Sequence, residues 1–198
     1  MASEGGLRPY SSAGTGAGSA PILPYKIASA EATNIFEGDL VKMVADGTVV
    51  AASAVTDVAI IGVFVGCEYV NSDGQTVQSN KYTDTITDDN TVAFVNVNPL
   101  QIYKIKCADG DVDTTITRAE VGRRFDIEYN AGNSTTGQSG MVLDTGTAGA
   151  TTVAQLKIVG VINEDGSDGA KGASGAEFTH ALVIIDPDIS VFGASAGI

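Results

Sequence analysis

The stretch Val142-Leu143-Asp144-Thr145-Gly146-Thr147 sets an aspartate behind two apolar residues and ahead of Thr-Gly-Thr, a context suited to a catalytic carboxylate. Peptide hydrolysis by aspartates needs two such groups sharing one proton, because adjacent like charges cannot both ionise. The chain carries the motif once, so only a symmetric dimer could assemble the pair. A later apolar strand ending in glycine must also brace the loop, and Ile158-Val159-Gly160 follows too soon. The competing reading is a strand ending in a turn, with Asp144 bonded to its own backbone and Gly146 at positive φ. That reading accounts for every residue of the motif, and no catalytic residue is expected.

A second constellation is Asp109, Asp111, Asp113 and Glu120, with Ile116 between them. The carboxylate spacing matches a calcium-binding loop, but the position that demands glycine for its sharp turn holds Thr114. The preceding residues alternate like a strand rather than a helix, so an acidic hairpin without metal is expected; Glu164-Asp165 and Asp168 form a weaker acidic turn. His180 is the only histidine and has no cysteine or second histidine near it in sequence. It is expected to face solvent or a subunit contact. Gly14-Thr15-Gly16-Ala17-Gly18 lacks the lysine and the strand–helix context of a phosphate loop, and Lys171-Gly172-Ala173-Ser174-Gly175 reads as a flexible loop. Cys67 and Cys107 read as two buried reduced thiols, a cross-strand disulfide being the alternative. Asn133-Ser134-Thr135 fits a glycosylation sequon but reads as a loop. No cofactor and no metal are expected.

The elements that would carry these residues are short. With 198 residues, 43% hydrophobic, 18% charged and 24 glycines, the chain is too apolar for disorder and poor in charge. Its net charge of −13 repels phosphate backbones, which disfavours nucleic acid. No apolar run approaches the roughly 18 residues of a membrane helix, and the first residues lack the pattern of a secretory signal. Predicted strands are Leu40–Val44, Thr48–Ala52, Val58–Val65, Gln75–Gln78, Val92–Val97, Ile102–Cys107, Arg124–Tyr129, Met141–Asp144, Val153–Ile162 and Phe178–Ile185. Tyr103, Ile105 and Cys107 alternate with Lys104 and Lys106, and Phe125, Ile127 and Tyr129 with Asp126 and Glu128, so one face of each strand meets a core. Val58–Val65 and Val153–Ile162 are nearly continuously apolar, as for strands covered on both faces or turned to a neighbouring subunit. Thr117 and Glu120 form a capping box on a single helical turn that Gly122 ends. About ten short strands predict an all-β fold, a compact β-barrel or sandwich.

Residues 1–24 read as an extended Gly/Ala/Ser-rich arm, 25–190 as the body and 191–198 as a small-residue tail. The arm has little to bury and a large ordering entropy, so its shape is expected to come from contact with another polypeptide. Leu7, Pro9, Tyr10, Ile22, Leu23 and Tyr25 bracket the featureless stretch and are the expected partner contacts.

Pro24-Tyr25-Lys26-Ile27-Ala28, Ala32-Thr33-Asn34-Ile35-Phe36-Glu37-Gly38-Asp39-Leu40-Val41 and Gly62-Val63-Phe64-Val65-Gly66-Cys67-Glu68-Tyr69 resemble head decoration, or cement, proteins of tailed bacteriophages, particularly marine podovirus-like ones. The likeness continues weakly through Asn98-Pro99, Ser139–Asp144 and Leu156–Val161. It implies a β-rich body that binds the outside of the major capsid protein lattice, with no active site to carry over. The protein would sit on the outer surface of the virion, made in the host cytoplasm and assembled as a homo-oligomer, with a trimer suggested by closed symmetry. Two other classes compete. One is a receptor- or glycan-binding β-domain of a fibre or tail, disfavoured by the absence of tryptophan. The other is a dimeric aspartic protease acting through Asp144.

Overall fold

Glycine-, threonine- and valine-rich sequence resolves into short strands joined by tight turns, in agreement with the all-β expectation. The computed structural model describes residues 5–13, 21–29, 31–110, 112–147, 154–163 and 177–192. The leader supplies β1 (Arg8–Ser12) and β2 (Ile22–Lys26). Next come β3 (Ile35–Phe36), β4 (Leu40–Met43), β5 (Val49–Ala51), β6 (Ile60–Val70), β7 (Thr76–Ser79), β8 (Lys81–Tyr82) and β9 (Val92–Asn96). The second half contributes β10 (Gln101–Asp109), β11 (Val112–Asp113), β12 (Ile116–Thr117), β13 (Arg124–Phe125) and β14 (Ile127–Glu128). It ends with β15 (Val142–Asp144), β16 (Leu156–Ile162), β17 (Glu177–Phe178) and β18 (His180–Ile185).

The first half forms a sheet in the order β2-β9-β6-β4-β5, with β7 extending β6 and β3 pairing β8 alongside. Just beyond β2, Ile27 bridges to Val49 of β5, so this sheet nearly closes on itself. The second half forms the order β13-β16-β18-β10-β15-β14, with β10 and β15 parallel. Its two outer members are one run of chain, Arg124 to Glu128, interrupted at Asp126. Arg124 and Phe125 pair with β16, while Ile127 and Glu128 pair with β15. One short segment thus holds both margins of the sheet and curls it into a barrel. At the interruption the Asp126 amide donates to Thr147 Oγ1 (3.0 Å), and its carbonyl accepts from the Asp144 amide (3.1 Å). Arg124 fastens the same run to the end of β18 through Asp186, 2.6 Å away and almost wholly buried. Closure leaves few open edges for pairing with foreign strands.

Two hydrophobic cores result. Tyr103, Ile105, Phe125, Ile127, Leu156 and Val183 fill the second-half barrel, and Ile27, Val41, Val49, Phe64 and Val95 fill the first. Strands β4 and β6 belong to both. Leu40, Ile60 and Val63 enter the second-half core, whereas Val41, Ile61 and Phe64 enter the first. Irregular register opposite β4 and again opposite β9 shifts the phase of β6, which lets so many of its residues face inward. The continuous apolar run there is explained by burial on both faces. The run over β16 has a different cause. Leu156, Ile158 and Val161 face the core, Val159 falls at a bulge and is exposed, and Lys157 stays half-buried, so the second face is covered only toward the ends, at Gln155 and Ile162.

The division into an arm and a body at residue 24 is corrected by the structure. Segment 5–12 is part of the second-half barrel: the Gly6 amide donates to Met141 O (2.7 Å), the Leu7 amide to Gly38 O (2.9 Å), and β1 pairs with β10. The approach requires glycine, since a Cβ on Gly6 would stand 2.7 Å from that of Ser139, and Gly6 has φ +90°. β2 is an edge strand on β9. Its neighbours Pro21 and Ile27 bond toward the β9 side, which by two-residue alternation turns the nitrogen of Pro24 outward, where no ladder bond is lost. The physical reason for the correction is that, over 5–12 and 22–26, main-chain pairing and one well-placed leucine offset the entropy of ordering. The featureless stretch 14–20 and the tail beyond Phe192 lie outside the described residues; Val191 packs on the first core.

Leu7 is only 1% exposed in the second-half core. Leu7→Ala is expected to lower unfolding free energy by ~2–5 kcal/mol, as for buried leucines elsewhere. Urea denaturation checks this; a loss below ~0.5 kcal/mol, typical of surface substitutions, would show that the leader is not a core element.

Candidate functional site

The Asp144 motif is a structural turn. Asp144 Oδ1 accepts from the Gly146 amide (2.9 Å), and Thr147 Oγ1 donates to the Asp144 carbonyl (2.9 Å). The self-bonded aspartate is as anticipated, but the role of Gly146 differs. Its φ is not positive; a Cβ there would lie 3.2 Å from both Asp109 Oδ1 and Asp144 Oδ1, a tight contact to which those side chains must yield.

The calcium-like run is a hairpin between β10 and β11, turning at Gly110 with φ +59°. Asp113 is held by Lys106 Nζ at 2.7 Å. Glu120 accepts from the Thr117 amide (2.9 Å) and hydroxyl (2.5 Å), completing the capping box. Asp111 and the acidic turn at 164–168 lie outside the described residues. No cluster of three or more metal-ligating side chains occurs among the described residues.

His180 is buried rather than solvent-facing. It stands between Lys106 on β10 and Ile162 on β16, and its Nδ1 lies 3.0 Å from Thr179 Oγ1. Cys67 and Cys107 are free thiols belonging to different cores, so they cannot bridge. Burial pushes their pKa values up to about 11 and about 12, which leaves them unreactive at neutral pH. Asn133 Oδ1 accepts from the amides of Thr135 and Thr136 and shapes its own loop.

One titratable group is unusual. Asp39, 5% exposed, accepts from the Phe36 amide (2.7 Å) and is bonded by the Ser139 side chain. Burial nevertheless raises its pKa from 3.8 to about 6. Its neighbours Gly38 and Ser139 are the residues against which Gly6 packs, so the carboxyl lies where the leader enters the fold.

The predicted contact residues divide. Leu7 is core, and Tyr25 is half-buried against the first core. Pro9 pairs with Tyr103 at the margin of β10. Tyr10, Ile22 and Leu23 remain at the surface, joined by Leu100, all 43–53% exposed. Their backbones adjoin. The Ala13 amide donates to Leu100 O (2.9 Å), the Val97 amide to Pro21 O (3.0 Å), and the Gln101 side chain to Ser11 O (2.8 Å). The β9–β10 connection thus lies against both β1 and β2, while Ile22 and Leu23, consecutive in β2, project to opposite sides of that sheet margin. Leu100 was not anticipated; its signal was an apolar residue directly after the turn dipeptide Asn98-Pro99. No family model, curated protein or solved structure matches this chain.

Because the folded pKa of Asp39 lies above its unfolded value, its charge penalises the fold. The penalty is absent below pH ~4, grows as pH rises toward 6, and then stays constant at about 3 kcal/mol. Asp39→Asn keeps an acceptor for Phe36 and is expected to raise stability at pH 7 by ~1–3 kcal/mol while flattening the dependence between pH 4 and 6. Urea titrations at several pH values check this; parallel wild-type and variant curves would exclude the assignment.

Proposed function

We propose that this chain is a non-enzymatic virion structural protein that binds the outside of a major capsid protein lattice and stabilises the head. The observation that carries this reading is the exposure of Tyr10, Ile22, Leu23 and Leu100 on backbone segments that adjoin at one sheet margin. Grouped apolar side chains at a sheet margin are the usual mark of a protein–protein contact. The residues that carry the decoration-protein resemblance support it differently. Ile27, Ile35, Phe36, Leu40, Val41, Phe64 and Cys67 are all buried, so that likeness reflects a shared way of building a body rather than a shared surface.

The energetics favour a repeated lattice over a lone partner. Each half-exposed side chain contributes about 1 kcal/mol when covered. Four such groups do not exceed the ~4–15 kcal/mol lost on association, so a single contact is weak and many copies are needed for tight coating. A trimer would supply such multivalency through closed symmetry. The body charge of −13 keeps crowded copies from associating indiscriminately and suits a shell surface remote from packaged nucleic acid.

Joint replacement Tyr10→Asp and Leu23→Asp tests the surface, because both side chains are exposed and their loss leaves the cores intact. Occupancy on purified heads of the phage that encodes the chain is expected to fall at least tenfold, with the melting temperature within a few degrees of wild type. Full occupancy by the double variant would overturn the assignment.

A further inference from the structure

The outward side of the second-half barrel differs in charge from the rest of the chain. Register across its strands sets residues side by side in ranks, and directly opposed residues share a face. One rank runs Arg8 on β1, Lys104 on β10, Leu182 on β18 and Gly160 on β16. The next runs Arg124 on β13, Lys157 on β16 and Ile184 on β18, and continues across β10 at Ile102, which pairs with Ser11. The adjoining residues Leu7, Tyr103, Phe125, Ile158 and Val183 enter the core, so these side chains point away from it. Ile102, Leu182 and Ile184 are half-buried, and they form an aliphatic strip with cations on both sides. A third rank, Lys106, His180 and Ile162, closes the patch, because the last two are buried. Arg8 and Lys157 form no ion pair among the described residues, whereas Arg124 meets Asp186 and Asp188, and Lys106 meets Asp113. Five cations against three carboxylates give this side +2, which leaves −15 for the remainder of a chain of net −13.

We infer that this face docks the acidic first half of a second copy of the chain, in a head-to-tail contact. Charge complementarity selects the occupant. Residues 1–100, Arg8 apart, hold eleven carboxylates against three lysines. Four of those acids, Glu31, Asp84, Asp88 and Asp89, line one cleft beside the β8–β9 connection, and Asp84 and Asp89 are exposed. An aliphatic strip alone would also accept a like strip. Two copies of this face oppose cation to cation, however, which disfavours a symmetric face-to-face dimer. The basic side belongs to the second half and the acidic side to the first, so the contact is heterologous and either closes into a ring or runs on as a filament. The face spans five strands, about 24 Å at ~4.8 Å per strand, but only two ranks. That is less than the ~800 Å² per partner of a standard interface, so the association is weak and sensitive to salt. None of Tyr10, Ile22, Leu23 or Leu100 belongs to either rank, so the inference goes beyond the shell-binding reading and holds or fails without it.

Sedimentation velocity of the full chain, from about 10 µM to about 1 mM in about 0.1 M salt, tests this. Concentration-dependent association is expected, weakened at least tenfold at about 0.5 M salt. Joint replacement Arg8→Glu and Lys157→Glu is expected to weaken it at least tenfold, and Arg8→Gln with Lys157→Gln to a smaller degree. Melting temperatures should stay within a few degrees of wild type, since Arg8 is exposed and Lys157 is half-buried on the outward side. Should reversal unfold the chain, the glutamine pair reads the same contact. Lys26→Glu with Lys81→Glu changes the net charge equally but away from the face, and should weaken association no more than about twofold. Asp84→Lys with Asp89→Lys should weaken it as the Arg8 and Lys157 reversal does. Mixing those two reversed proteins should restore it, because each then presents the charge that the other lacks. A monomer at every concentration, association that strengthens with salt, equal loss in the Lys26 and Lys81 control, or no recovery on mixing would each overturn the inference.

Discussion

Burial of the β4–β6 ribbon on both of its faces is the constraint on which the rest of this structure depends. A two-faced apolar ribbon cannot be satisfied by one sheet packed on one side. It requires a core above and a core below: the first is built almost entirely from residues up to Val97, and the second mostly from residues after Gln101, with Leu7, Leu40, Ala52, Ile60 and Val63 of the first half entering it. Each core is then enclosed by a sheet that returns almost to its own beginning. The closing devices are small: a bridge from Ile27 to Val49 in one, and the interrupted run Arg124–Glu128 in the other. Because both cores lean on the same strands, neither half is an independent unit.

The leader takes its place from the same constraint. Two packed cores leave a seam, and Gly5, Gly6 and Leu7 enter it where glycine contacts at Gly38, Ser139 and Gly140 allow backbones to approach closely. The buried Asp39 carboxyl sits at that entrance, a local loss of stability in an otherwise apolar junction.

The surface follows from how the leader is docked. With Leu7 held inside and β1 and β2 both paired, the exposed residues Tyr10, Ile22 and Leu23 are presented by ordered backbone rather than a tether. A partner that meets them loses less conformational entropy than one that must order a free arm. This suits a protein whose single contacts are weak and whose attachment is multiplied over a lattice.

Much of the secondary structure was legible in local sequence. Alternation at Tyr103–Cys107, the capping box at Thr117 and the turn glycines Gly47, Gly74 and Gly110 are local signals that the fold uses as read, whereas the run from Phe125 breaks at a buried Asp126. Period and turn chemistry act over a few residues, so composition and spacing determined an all-β chain without tertiary information. The placement of the first two dozen residues was not legible, because nothing in Gly5-Gly6-Leu7 names its partners more than thirty residues away at Gly38 and farther still at Met141. The role of Gly146, the burial of His180 and the exposure of Val159 were likewise decided by which strands came to lie alongside them. Of the candidate surface, Tyr10, Ile22 and Leu23 could be named from apolarity alone. That their segments adjoin Leu100, and that Leu7 is buried instead, was settled only by the long-range pairing of β1 and β2, since a strand's own sequence specifies its two faces but not what each face will meet.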